Sequence, residues 1–85
     1  MNKVVVSVLG TDRPGIVAAV SSVLTNHRCN VEDVSQTILQ GEFVGILIAS
    51  VPQETSPAFL QDNLRRSLDP LGLHVHLRSF DPDSS

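Results

Sequence analysis

Apolar and polar positions change their period several times along the chain, and each change marks an element. In residues 3–9, Val4, Val6 and Val8 form one alternating set, and Val5, Ser7 and Leu9 form the other. Both sets are largely apolar, which predicts a central strand with both faces at least partly covered. Past Gly15 the period lengthens: Ile16, Val17, Val20, Val23, Leu24 and His27 recur at helical spacing, opposite Ser21, Ser22, Thr25 and Asn26. This helix is expected to end near His27 or Arg28, where basic side chains favour the negative end of the dipole. Asn30 to Leu39 reads as a second strand, with Val34, Gln36 and Ile38 on one side and Val31, Asp33, Ser35, Thr37 and Leu39 on the other. Polarity on both sides predicts an edge, or a surface that meets something. Gln40-Gly41 suits a two-residue hairpin turn, with glycine supplying a positive φ. Glu42 to Val51, apolar on both faces, is then a second central strand.

After a loop over 52–56, Ser56 is a candidate cap and Pro57 a first helical residue. Leu60, Leu64 and Leu68, with Phe59 beside them, form the buried stripe, while Gln61, Asp62, Arg65 and Arg66 are expected to face water. Asp69-Pro70 ends that helix. Leu73, Val75 and Leu77 alternate with His74, His76 and Arg78 in a last strand with one polar face. The order βαββαβ, folded with right-handed crossovers around a hairpin, predicts an α+β, ferredoxin-like fold. Its four-stranded antiparallel sheet runs 4-1-3-2 and carries both helices on one face, so the second and fourth strands are edges. Residues 1–80 form one domain, and 81–85 read as a flexible tail.

Eighty-five residues leave room for a single thin core, which oligomerisation would help to bury. With 41% apolar and 18% charged residues, the composition is that of a soluble globular domain. No apolar run approaches a membrane span, and Met1-Asn2-Lys3 leads straight into a strand pattern without the layout of a signal peptide. A net charge of −3 argues against nucleic acid as a direct partner. The single cysteine, Cys29, cannot close an internal disulfide, which fits a reducing cytoplasm.

The candidate chemistry lies in Gly10-Thr11-Asp12-Arg13-Pro14-Gly15, between the first strand and the first helix. Pro14 biases Arg13 towards an extended conformation and suits a first helical turn, so the helix is expected to begin at Pro14 or just before it. Gly15 then leaves that turn without a side chain, and even a β-branched residue there would cost the fold only a few tenths of a kcal/mol. The free N–H groups of Gly15, Ile16 and Val17 would make an anion site, with Asp12 beside them as an acceptor for an ammonium group. Donors next to a carboxylate suit a zwitterion such as a free amino acid. Arg13 could contact a ligand carboxylate or a phosphate, or equally stand exposed in the loop. The plainer reading is a simple connection in which Thr11 or Asp12 only caps the helix.

The stretch Asp12-Arg13-Pro14-Gly15-Ile16-Val17, followed by Asn30-Val31, resembles the ACT domain, a small regulatory module of amino-acid metabolism. Ser35-Gln36-Thr37-Ile38-Leu39-Gln40-Gly41-Glu42-Phe43 resembles a narrower branch, that of small stand-alone ACT proteins and the glycine cleavage system transcriptional repressor. The resemblance implies that Asp12, the backbone around Gly15 and Ile16, and Asn30 hold an amino acid at a subunit interface. In the expected fold, Asp12 and Asn30 sit at opposite ends of the first helix, roughly 20 Å apart at about 1.5 Å per residue. One amino acid cannot touch both within a chain. Two chains side by side and antiparallel, related by a two-fold, bring Asp12 of one near Asn30 of the other and cover the second strand's open edge.

Other constellations carry less. His74 and His76 share a strand face but lack an evident third metal ligand. Cys29 follows the basic pair His27-Arg28, yet a small apolar residue at a helix end is the simpler role. An acylphosphatase-like enzyme would need an asparagine near Arg13, and Asn30 lies at the far end. A copper chaperone would need a second cysteine, and an RNA-binding sheet would need aromatic residues and a basic surface. No nucleophile–base pairing stands out, and nothing calls for a cofactor. The reading is therefore a regulatory, non-enzymatic module that senses an amino acid as a homodimer. The alternative is a ligand-free dimerisation or interaction domain.

Overall fold

The computed structural model describes residues 2–80. β1 (Asn2–Thr11), α1 (Ile16–Asn26), β2 (Asn30–Leu39), β3 (Glu42–Val51), α2 (Pro57–Leu68) and β4 (Leu73–Phe80) follow one another, with a short 3-10 turn at Asp69–Leu71. The sheet order is β2-β3-β1-β4 and every pairing is antiparallel, which is the expected ferredoxin-like topology. The expected tail, 81–85, lies outside the described residues.

Hydrophobic alternation fixes which sheet face the helices cover. Val4, Val6 and Val8 of β1 and Leu47, Ala49 and Val51 of β3 are all but fully buried. They pack with Ile16, Val20 and Leu24 of α1 and with Leu60, Leu64 and Leu68 of α2 in one core. The β2–β3 hairpin turns at Gln40 (φ 49°) and Gly41 (φ 84°), two left-handed residues whose twist suits the flanking strands. That turn sets the register Leu39↔Glu42 and Ile38↔Phe43, and a bulge between Val31 and Asp33 shifts it further along. α2 begins as its sequence suggests, with Pro57 in its first turn and the Ser56 hydroxyl accepting from the Phe59 N–H at 3.4 Å.

Four expectations need correction, the first being Phe59, which is 56% exposed and does not join the buried stripe of α2. α1 starts at Ile16, because Gly15 has φ 81° and lies outside the helix as its left-handed cap residue. A β-branched residue at position 15 therefore meets backbone strain, not a mild helical penalty. The sheet face away from the helices is less covered than its apolar residues suggested, with Leu9 49% and Ile46 46% exposed. Gln61 does not simply face water: its side-chain carbonyl accepts from the Leu77 N–H at 2.8 Å and so occupies part of the β4 edge.

Candidate functional site

The β1–α1 loop is held from two sides. The Asp12 N–H donates to the Gly41 carbonyl of the hairpin turn at 2.8 Å, and the Arg13 guanidinium donates to the Leu71 carbonyl at 3.4 Å. Between this loop, the start of α1 and the helix-side face of β2 lies an open cleft of about 400 Å³. Asp12, Arg13, Gly15 and Ile16 line one wall, and Gln36, Ile38 and Phe43 line the other. Phe43 forms a firm floor: it is buried, and its ring lies where a side chain on Gly45 would stand.

Helical hydrogen bonding explains what the cleft offers. The first intrahelical bond of α1 runs from the Ala19 N–H to the Gly15 carbonyl at 2.9 Å. The N–H groups of Ile16, Val17 and Ala18 precede it and have no carbonyl one turn back to receive them. Among the described residues no side chain caps this end, whereas α2 has Ser56. Three donors at a positive helix end thus face the cleft beside the Asp12 carboxylate, an arrangement that accommodates an anionic and a cationic group together. The donor set lies one residue later than Gly15–Val17, because the helix itself starts later.

Asp12, Arg13, Gly15 and Ile16 come together, as expected, and Asn30 does not join them. Thr11 pairs with Glu42, which pairs with Leu39, at one end of the sheet. Asn30 pairs with Ser50, which pairs with Lys3, at the other. Eight strand positions separate these levels, about 26 Å at about 3.3 Å per residue. Gln36, Ile38, Phe43 and Ala18 are the lining residues that motif reasoning missed. The alternation of β2 already set Gln36 and Ile38 on one side. Which side meets α1 depends on the register with β3, and one residue's slip would reverse it.

The remaining candidates lie away from the cleft. Cys29 is buried, which pushes its thiol above the ordinary value and away from the reactive thiolate. The His27 ring bonds the Val23 carbonyl through Nδ1 at 2.8 Å and meets Phe59 edge-on at 5.7 Å between centroids. His74 and His76 stand exposed on the sheet face away from the helices. Near Asn30, Lys3 and Glu32 form an ion pair at 3.0 Å. The hydrogen bond from the Lys3 ammonium is the main cause holding the Glu32 carboxyl below its usual range. No helix of the described residues is long and apolar enough to cross a membrane.

A family model described as ACT domain matches residues 2–78. The UPF0237 protein of Methanopyrus kandleri is 39% identical over 82 residues, covering 95% of this chain and 91% of that protein. An ACT domain protein from Streptococcus pneumoniae superposes with a TM-score of 0.83 at 27% identity, over 92% of this chain and 89% of that one. A chain named as a glycine cleavage system transcriptional repressor superposes with a TM-score of 0.70 at 26% identity, over 99% of this chain and 48% of that one.

Proposed function

Since the chain belongs to the ACT domain family, we propose that it is a regulatory small-molecule-binding module that senses a free amino acid at a homodimer interface. The observation that carries this reading is the uncapped start of α1, which opens beside Asp12 into a cleft walled by an unpaired sheet edge. The Ile16–Ala18 donors would receive the ligand's carboxylate and Asp12 its ammonium. Gln36 and Ile38 would border its side chain. Asn30 of a second chain would close the site.

The two sheet edges differ in a way that favours such a dimer. Gln61 occupies the Leu77 N–H on the β4 edge, and among the described residues no helix side chain reaches the outer edge of β2 in the same way. β2 also carries Ile38 and Leu39, 56% and 61% exposed. Antiparallel pairing of β2 with β2 of a second chain would satisfy the free backbone groups and cover these side chains. It would also set Asn30 of each chain level with the cleft of the other. Occupancy would then be passed to a metabolic enzyme or to transcriptional regulation, a role supported by the solved relative named as a repressor.

The test is a thermal-unfolding panel of single amino acids against the purified protein. A ligand that binds only the folded state adds RT ln(1 + [L]/Kd), about 2.7 kcal/mol at a hundredfold excess over Kd, which raises Tm by roughly 10 °C or more. One or a few amino acids should shift Tm, and their D-enantiomers should not. The exposed apolar pair on β2 also fits a second reading, a ligand-free dimerisation domain. A dimer that ignores the whole panel would favour that reading.

A further inference from the structure

The sheet face opposite the helices has a pattern of its own. Register places Arg78, Val5, Ile48 and Asp33 in one row across the four strands. The next rows are His76, Ser7, Ile46 and Ser35, then His74, Leu9, Val44 and Thr37. A strip of aliphatic side chains on β1 and β3, interrupted by Ser7, is therefore bordered by Arg78 and two histidines on β4 and by Asp33 and hydroxyls on β2. One face carries both signs on opposite borders, so it is complementary to itself.

We propose that a second copy of this chain covers this face, related by a two-fold axis running along the strands between β1 and β3. That axis turns each row onto itself. It lays Val5 over the partner's Ile48, Leu9 over the partner's Val44, and Arg78 over the partner's Asp33. A two-fold across the strands would instead lay the basic β4 over the partner's β4, leaving Asp33 opposite a hydroxyl. Charge selects the first axis. A membrane or a nucleic acid would not match the acidic border. Packed about 10 Å apart, two aligned sheets let an arginine reach an aspartate across the gap. Three rows across four strands cover roughly 400 Å² per protomer at about 4.8 Å between strands, so the pair is a weak one by the standards of stable interfaces. This pairing is independent of the β2 edge and of any ligand there. The two axes do not intersect, so together they form no closed set, and association should grow past a dimer as concentration rises.

Sedimentation velocity from micromolar to near-millimolar concentration, with Leu9→Lys/Ile46→Lys beside the parent, tests the surface. Both side chains are about half exposed, so the folded chain tolerates them, and circular dichroism verifies it. The parent should grow past a dimer, and the variant should stop at one. A parent dimer that the variant turns into a monomer upholds the face pairing and refutes the edge pairing of the proposed function. A parent whose association the variant leaves unchanged overturns the face pairing. A discrete tetramer overturns the strand-parallel axis. The register has its own test. Arg78→Asp should weaken association roughly tenfold or more, and Asp33→Arg added to the same chain should restore it. Those residues are three strand spacings apart, about 14 Å, too far to pair within a chain. Failure of the double variant to recover association overturns the assigned register.

Discussion

Position 15 shows how one dihedral angle changes an expected phenotype. Gly15 has φ 81°, and no atom beyond the adjoining residues lies within 4 Å of where a Cβ would stand, so a side chain there is opposed by its own backbone and not by crowding. Gly15→Val should cost roughly 1–2 kcal/mol. Gly15→Asn should cost less, because asparagine tolerates the left-handed region. Chemical denaturation of both variants checks the order. Equal costs would mean that packing, not φ, decides. Cys29 gives a second test at this scale. Buried, with its thiol pushed up, it should react with a thiol reagent at neutral pH far more slowly in the native protein than in the denatured one. Equal rates would contradict its burial.

Among the elements, α2 and the β2–β3 hairpin have boundaries that local chemistry specifies. Ser56→Ala removes the side-chain cap at the start of α2 and should cost about 1 kcal/mol, read from the denaturation midpoint. At the far end of the sheet, Lys3 holds the Glu32 carboxyl below its usual value. A depressed carboxyl contributes stability that is present above its unfolded pKa and lost as pH falls through the folded one. Glu32→Gln should therefore lower stability slightly above about pH 4.5, the effect being small because the pair is exposed, and flatten the acid limb so that the two proteins converge in acid. Stability measured against pH in both proteins decides it. The hairpin was readable because Gln40-Gly41 both turns the chain and sets the register of two ten-residue strands. The start of α1 was misplaced because Pro14 suits a first helical turn equally well inside the helix or just before it. Gln61 was unreadable for another reason. Its partner, Leu77, is 16 residues away, and a polar residue on an amphipathic helix looks solvated until the strand beside it is placed.

For the whole molecule, half of the candidate site was visible in the chain and half was not. Asp12, Gly15 and Ile16 follow one another in one motif, whereas Gln36 and Phe43 reach the cleft only through the sheet register. If Asp12 of one chain and Asn30 of another hold one amino acid, as proposed, each substitution should weaken binding without abolishing the dimer. Asp12→Ala removes an acceptor for a charged group, worth about 1.5–3 kcal/mol, so affinity should fall roughly tenfold to a hundredfold. Asn30→Ala removes a neutral partner and should cost less. Mixing the two variants tests the claim most directly. A heterodimer of one Asp12→Ala chain and one Asn30→Ala chain has one intact site and one site lacking both groups, if the site is shared between chains. If each site lies within one chain, both sites are singly damaged. Titration calorimetry on the purified heterodimer should find one equivalent bound at near-parental affinity, with the second site badly weakened. A titration with no parental-affinity site would contradict the shared arrangement.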